Sequence, residues 1–289
     1  MEVCSRYVEQ LETTVETIRR RFVSIYDMGV KVGQRSLKLG ERAIEVTEST
    51  AYDFRDQLVQ ACNDQEPLNA QDHETRNSLV ELYLGISVLL IGLGAGQLSG
   101  SSILGPLLAR IFDPFQEFLL VFMLPVYVYL SFRKNAALDE TERRVWLFGL
   151  SFAQGALLGH LVGPRLVKPV PAIFFLLPLV FALLTDYEIS PAYLYSKRSN
   201  LLAACALIGG GLSVVGSSIA MGVSIGSIVI TLAHLAILFA HFQLVVHEIK
   251  HKTYGVSEAQ LLYVTSLLAV QIVISYLLVS GGSYESSGI

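Results

Sequence analysis

The chain has 289 residues, of which 52% are apolar and 16% charged, with a formal net charge of −4. A soluble domain averages about 25% charged residues, so the deficit excludes disorder and argues against a conventional soluble enzyme. The small negative charge gives no reason to expect a nucleic-acid partner. Cys4, Cys62 and Cys205 are too few and too scattered for a disulfide framework or a Cys-rich zinc site.

The average joins two unlike parts. Residues 1–77 carry 10 Lys+Arg and 14 Asp+Glu, whereas 78–289 carry 11 and 11 over nearly three times the length. The first part reads as a cytosolic helical segment with its linker, and the second as a membrane domain. The opening residues lack the basic-then-apolar order of a signal peptide. The first membrane helix is therefore expected to act as the targeting signal.

In chain order, Cys4, Val8, Leu11, Val15, Ile18, Phe22 and Ile25 alternate spacings of four and three. That is a heptad stripe of the coiled-coil kind. It breaks at Gly29–Gly33, and a weaker stripe runs through Leu37, Ile44, Ala51, Phe54, Leu58 and Ala61. Two amphipathic helices fit, either as a hairpin packing on itself or as a surface for self-association or a partner through residues 4–25. Three heptads are short for an isolated coiled coil. A polar linker, 63–72, follows.

A membrane-spanning helix needs about 20 mostly apolar residues. Seven segments qualify as candidates: 79–98, 114–132, 145–163, 169–185, 201–220, 224–246 and 259–280. Every backbone polar group must be bonded within hydrocarbon, and the runs do not alternate as barrel strands would. The fold class expected is an all-α membrane protein, a seven-transmembrane helical bundle behind a cytosolic amphipathic segment. The fourth candidate is the shortest, and whether it fully spans stays open. The stretch 99–113 is too apolar for a plain loop and suits an interface. Gly209, Gly210 and Gly211 either weaken the fifth helix or admit close neighbours.

Lysines and arginines in short loops set the orientation. Arg133, Lys134, Arg143, Arg144, Lys197, Arg198, Lys250 and Lys252 fall on one side, against Arg110, Arg165 and Lys168 on the other. The N-terminus is expected in the cytosol, and after seven spans the tail 280–289 in the lumen.

Ionisable groups in a bilayer are costly and tend to mark pathways or relays. The ion- or proton-pathway candidates are Glu117, placed near a helix start, then His160, His234, His241 and the polar Gln271. His234 and His241 are seven apart and share a helix face. The alternative for each histidine is a hydrogen-bonded interior imidazole. Residues 247–251 match H-E-x-x-H, in which His247 and His251 would share a metal and Glu248 would act as base. A third protein ligand is missing from the sequence, so His247, Glu248 and His251 are weak metal candidates. A zinc protease is the least favoured reading, and no cofactor is expected.

The ordered motifs DETERR (139–144), FAQGALLGH (152–160), LYSKRSNLL (194–202) and FAHFQLVVHE (239–248) resemble those of the Bax inhibitor-1 family. Gly155, Gly159, Lys197, Arg198 and Gln243 are the matching motif positions. The resemblance implies a bundle with a central last helix, residence in the endoplasmic reticulum, modulation of cell death and a proton-sensitive calcium leak. It departs where that family keeps acids: His241 stands in place of an Asp, and the last helix has no acid within the span. The family's acidic site for Ca²⁺ or H⁺ is therefore expected to be lost. The alternative function is a membrane-anchored scaffold acting through residues 1–62, with no enzymatic activity.

Overall fold

The computed structural model describes residues 52, 55–61, 73–134, 139–162, 173–186, 189–195, 197–221, 225–251 and 255–280. The chain divides into two compact units, Met1–Val59 and Gln60–Ile289. Of the first, the helical residues 52 and 55–59 are described. The heptad stripe at 4–25 and most of the second stripe lie outside the described residues, as does the tail 281–289.

In the second unit every described regular element is helical. The elements are α1 (His73–Ser101), the short α2 (Gly105–Ile111), α3 (Pro114–Lys134), α4 (Glu140–Val162), α5 (Leu176–Thr185), a 3₁₀ turn (Ala192–Tyr195), α6 (Arg198–Cys205), α7 (Gly211–Met221), α8 (Ile225–Lys250) and α9 (Val256–Ser280). A π-helical turn, Ala206–Gly210, joins α6 to α7. The all-α expectation is correct.

Seven membrane helices are more than the described residues show. Five helices are long and apolar enough to cross a bilayer: Glu74–Ser101, Pro114–Lys134, Arg198–Ile219, Ile225–Lys250 and Val256–Ser275. The third candidate lies on α4, which begins with Glu140, Glu142, Arg143 and Arg144 and carries Gln154 and His160 inside. The fourth lies on α5, which has ten residues. At 1.5 Å per residue that is about 15 Å, half of a hydrocarbon core of about 30 Å.

The contacts nevertheless fix the ends. Arg144 at the start of α4 bonds Glu81 near the start of α1. Arg76, also near the start of α1, donates to the carbonyl of Thr185 at the end of α5 at 3.3 Å. His160, near the end of α4, meets Glu117 near the start of α3. The end of α4 and the end of α5 therefore lie at opposite ends of α1.

The core forms around α1, whose most apolar stretch is 61% buried, more than in the other four long apolar helices. Leu79, Leu82, Ile86, Leu90 and Leu93 are buried on it. The first long helix takes the central place expected of the last. It packs mainly on α4 and α5, with α9 alongside. In a bilayer such a column contributes through close van der Waals packing, because lipid is as apolar as leucine.

Glycines explain the closeness of α1 and α4. Gly92, Gly96 and Gly100 repeat every four residues on α1, and Gly155 and Gly159 do so on α4. A Cβ on Gly96 would strike the carbonyl oxygen of Phe152, and one on Gly100 that of Ala156. Gly155 and Gly159 meet the carbonyls of Leu93 and Gln97 in the same way. These are backbone-to-backbone contacts, the small-xxx-small packing of membrane helices. The paired residues advance together along both helices, so α1 and α4 run parallel.

The segment 99–113 is helical over two pieces, and Ile103, Leu107 and Ile111 are exposed. The three consecutive glycines expected to weaken the fifth helix sit at the π turn. There Gly209 faces Leu177 and Val180 of α5, and Gly210 faces Leu235 of α8.

Candidate functional site

The five pathway candidates fall into three groups. Glu117 is buried near the start of α3. His160 Nδ1 lies 2.8 and 2.9 Å from its two carboxylate oxygens. A carboxylate accepts, so the imidazole donates from Nδ1. This pair ties α3 to α4. Nearby on the same helix pair, the Gln154 amide donates to the carbonyl of Val121 at 3.2 Å.

His234 and His241 do come together, through two tyrosines. His241 Nε2 lies 2.9 Å from the carbonyl of Ala259, and Nδ1 lies 3.1 Å from the Tyr83 hydroxyl. The carbonyl can only accept, so Nε2 carries the proton and the neutral ring accepts from Tyr83 on Nδ1. The His234 Nε2 meets the Tyr263 hydroxyl at 2.7 Å. The rings of Tyr83 and Tyr263 meet edge-to-face, with centroids 6.4 Å apart, and His241 lies against both. This aromatic and imidazole cluster binds α8 to α1 and α9. Both nitrogens of His241 are satisfied, as in a structural interior imidazole.

Gln271 joins neither group. It pairs with Gln97, whose amide donates to the Gln271 carbonyl oxygen at 2.9 Å. An amide pair of this kind satisfies both side chains between two helices. Among the motif positions, Arg198 donates to Gln243 at 2.9 Å and is buried, while Lys197 is exposed at the start of α6. Gly155 and Gly159 serve the α1–α4 contact described above.

His247 and His251 sit at the end of α8, with ring centroids 4.2 Å apart. Glu248 turns instead toward a cavity of about 350 Å³, also lined by Tyr129, His241, Glu258 and Thr265. Among the described residues no three His, Cys, Asp or Glu side chains are grouped to hold a metal.

A second cavity, of about 570 Å³, opens between the starts of α1, α4 and α9. Arg144 is paired there with Glu140 and Glu81. Those hydrogen bonds, Glu140 first, push the guanidinium pKa above its ordinary value. Leu84, Val88 and Phe148 form the apolar wall, and Asp186 and Gln260 complete the rim.

The chain matches the family model described as "Interactor of ZYG-11" over residues 2–281. It belongs to the ZYG-11 interactor family. No curated protein and no solved structure matches it. The match spans both the charge-rich segment and the apolar helices, and it overturns the Bax inhibitor-1 resemblance. The expected modulation of cell death falls with it, as does the reading of a calcium leak inherited from that family. The four short motifs misled because each combines residues that any parallel or antiparallel helix pair uses. Charges fall before a helix, glycines at a contact, and an arginine at a polar helix start.

Proposed function

We propose that the chain is a membrane-embedded interaction protein whose partner is a ZYG-11 protein. The observation that carries this reading is the family match across 2–281. A protein-interaction role is what the family's description names. The five long apolar helices support a bilayer as the setting. So does the outer face of α3, where Phe115, Phe118, Phe122, Met123, Val126 and Leu130 are exposed. Such a row on a water-facing helix would exceed the usual apolar patch of a soluble monomer.

The recognition surface on this reading is the charge-rich segment 1–62. It carries the heptad stripe through Val8, Leu11, Val15, Ile18 and Phe22, which suits a helical or grooved partner surface. The bundle then serves as the anchor, with the Lys- and Arg-rich loops and the N-terminus in the cytosol. Residence in the endoplasmic reticulum rested on the abandoned resemblance and is not retained.

The test is co-purification. Full-length chain in detergent is expected to retain a ZYG-11 protein, and a chain lacking 1–62 is expected to lose it. Retention by the shortened chain would move the recognition surface onto the helical unit. Failure of the full chain to bind would remove the proposed partner.

A further inference from the structure

The carboxyl end of α8 presents two imidazoles that the interaction role does not use. His247 and His251 are one turn apart, with centroids 4.2 Å apart and planes inclined by 39°. His251 is exposed and His247 half-buried. His251 Nδ1 lies 2.8 Å from the carbonyl of His247. The carbonyl accepts, so the neutral ring carries its proton on Nδ1. Its lone pair is then on Nε2, at the outer edge of the ring, where a metal ion binds.

The spacing also selects a geometry. With nitrogen–metal bonds of about 2.1 Å, a right-angle bite sets two imidazole centroids about 4.6 Å apart, and a tetrahedral bite about 5.3 Å. The observed 4.2 Å is shorter than both and closer to the right-angle value, the bite that tetragonal and octahedral ions use. The C-terminal end of a helix is its negative pole and favours a cation. Lys250, adjacent in sequence, opposes the ion by like charge.

We propose that His247 and His251 form a two-imidazole site for a borderline divalent ion of right-angle geometry, Cu²⁺ or Ni²⁺. The Glu248 carboxylate lines the cavity with His241 and Glu258 and takes no part. Two protein ligands leave the remaining positions to water or to a donor from another molecule.

The experiment uses full-length chain, purified in detergent without an oligohistidine tag and titrated with NiCl₂ by calorimetry. One ion per chain is expected, with Zn²⁺ binding more weakly. His247→Ala and His251→Ala are each expected to weaken nickel binding at least tenfold, and Glu248→Gln to leave it unchanged. Copper spectra of the intact chain are expected to show two equatorial nitrogens, reduced to one in His251→Ala. Undiminished nickel binding in the double alanine variant would overturn the site. An equal loss in Glu248→Gln would overturn the two-imidazole assignment.

Discussion

A carboxylate with no exposed surface needs a partner, and Glu117 has one in His160. Removing one member of a buried pair leaves the other charge without compensation and costs about 3–5 kcal/mol. His160 keeps 26% of its side chain exposed, so the pair is only partly enclosed by protein and the cost falls at or below the lower end. His160→Ala is expected to lower the unfolding free energy by about 2–3 kcal/mol. Glu117→Gln, which keeps a hydrogen-bond acceptor, is expected to cost about 1 kcal/mol. Denaturant titration in a fixed detergent measures both, and the order of the two variants is the discriminating result. The presence of Glu117 and His160 as rare ionisable groups was legible in sequence. Their pairing was not, because it depends on α3 and α4 running antiparallel, and no local pattern encodes that. Tyr83 and Tyr263 were missed for a related reason. A tyrosine in an apolar run reads as packing until a histidine on another helix is seen beside its hydroxyl.

Among the elements, the parallel pair α1 and α4 is the most tightly specified. Adding a methyl group at Gly96 or Gly159 drives it into a backbone carbonyl, which cannot move as a flexible side chain could. Gly96→Ala and Gly159→Ala are each expected to destabilise by about 1–3 kcal/mol. Gly149, on the same α4, has open space where its Cβ would lie. Gly149→Ala is expected to stay within about 0.5 kcal/mol of the parent. Equal losses at all three positions would point to a general glycine effect and not to a helix contact. The four-residue glycine repeat was readable in advance, since helical periodicity places such residues on one face. The brevity of α5 was also foreshadowed. The fourth candidate was the shortest of the seven apolar runs.

At the scale of the molecule, the described contacts separate two ends of the helical unit. Thr185 lies at the level of Arg76, and His160 at the level of Glu117. The described residues Lys134 and Val162, at the ends of α3 and α4, therefore belong to opposite ends. The chain has no N-X-S/T sequence of its own, which provides a clean background. An acceptor introduced near Arg165 is expected to be glycosylated in microsomes, whereas one introduced at 135–138 is not. The reverse pattern would invert the orientation. The all-helical class and most helix positions followed from apolar length. The family did not, because membership rests on the pattern of the entire chain and not on four motifs.

The half-length α5 and the π turn opposite it bear on the order in which the molecule can be made. A ten-residue apolar helix is too short to hold its own place across a bilayer, and its final turn leaves carbonyls to be satisfied by others. Arg76 meets the carbonyl of Thr185 from α1, which is synthesised earlier. Leu177 and Val180 wait for Gly209, which emerges more than twenty residues after α5 is complete. During that interval α1 is the element already made against which α5 packs most extensively. The contacts that seat α5 on its far side are thus completed only after α6 and the π turn have been added to the chain.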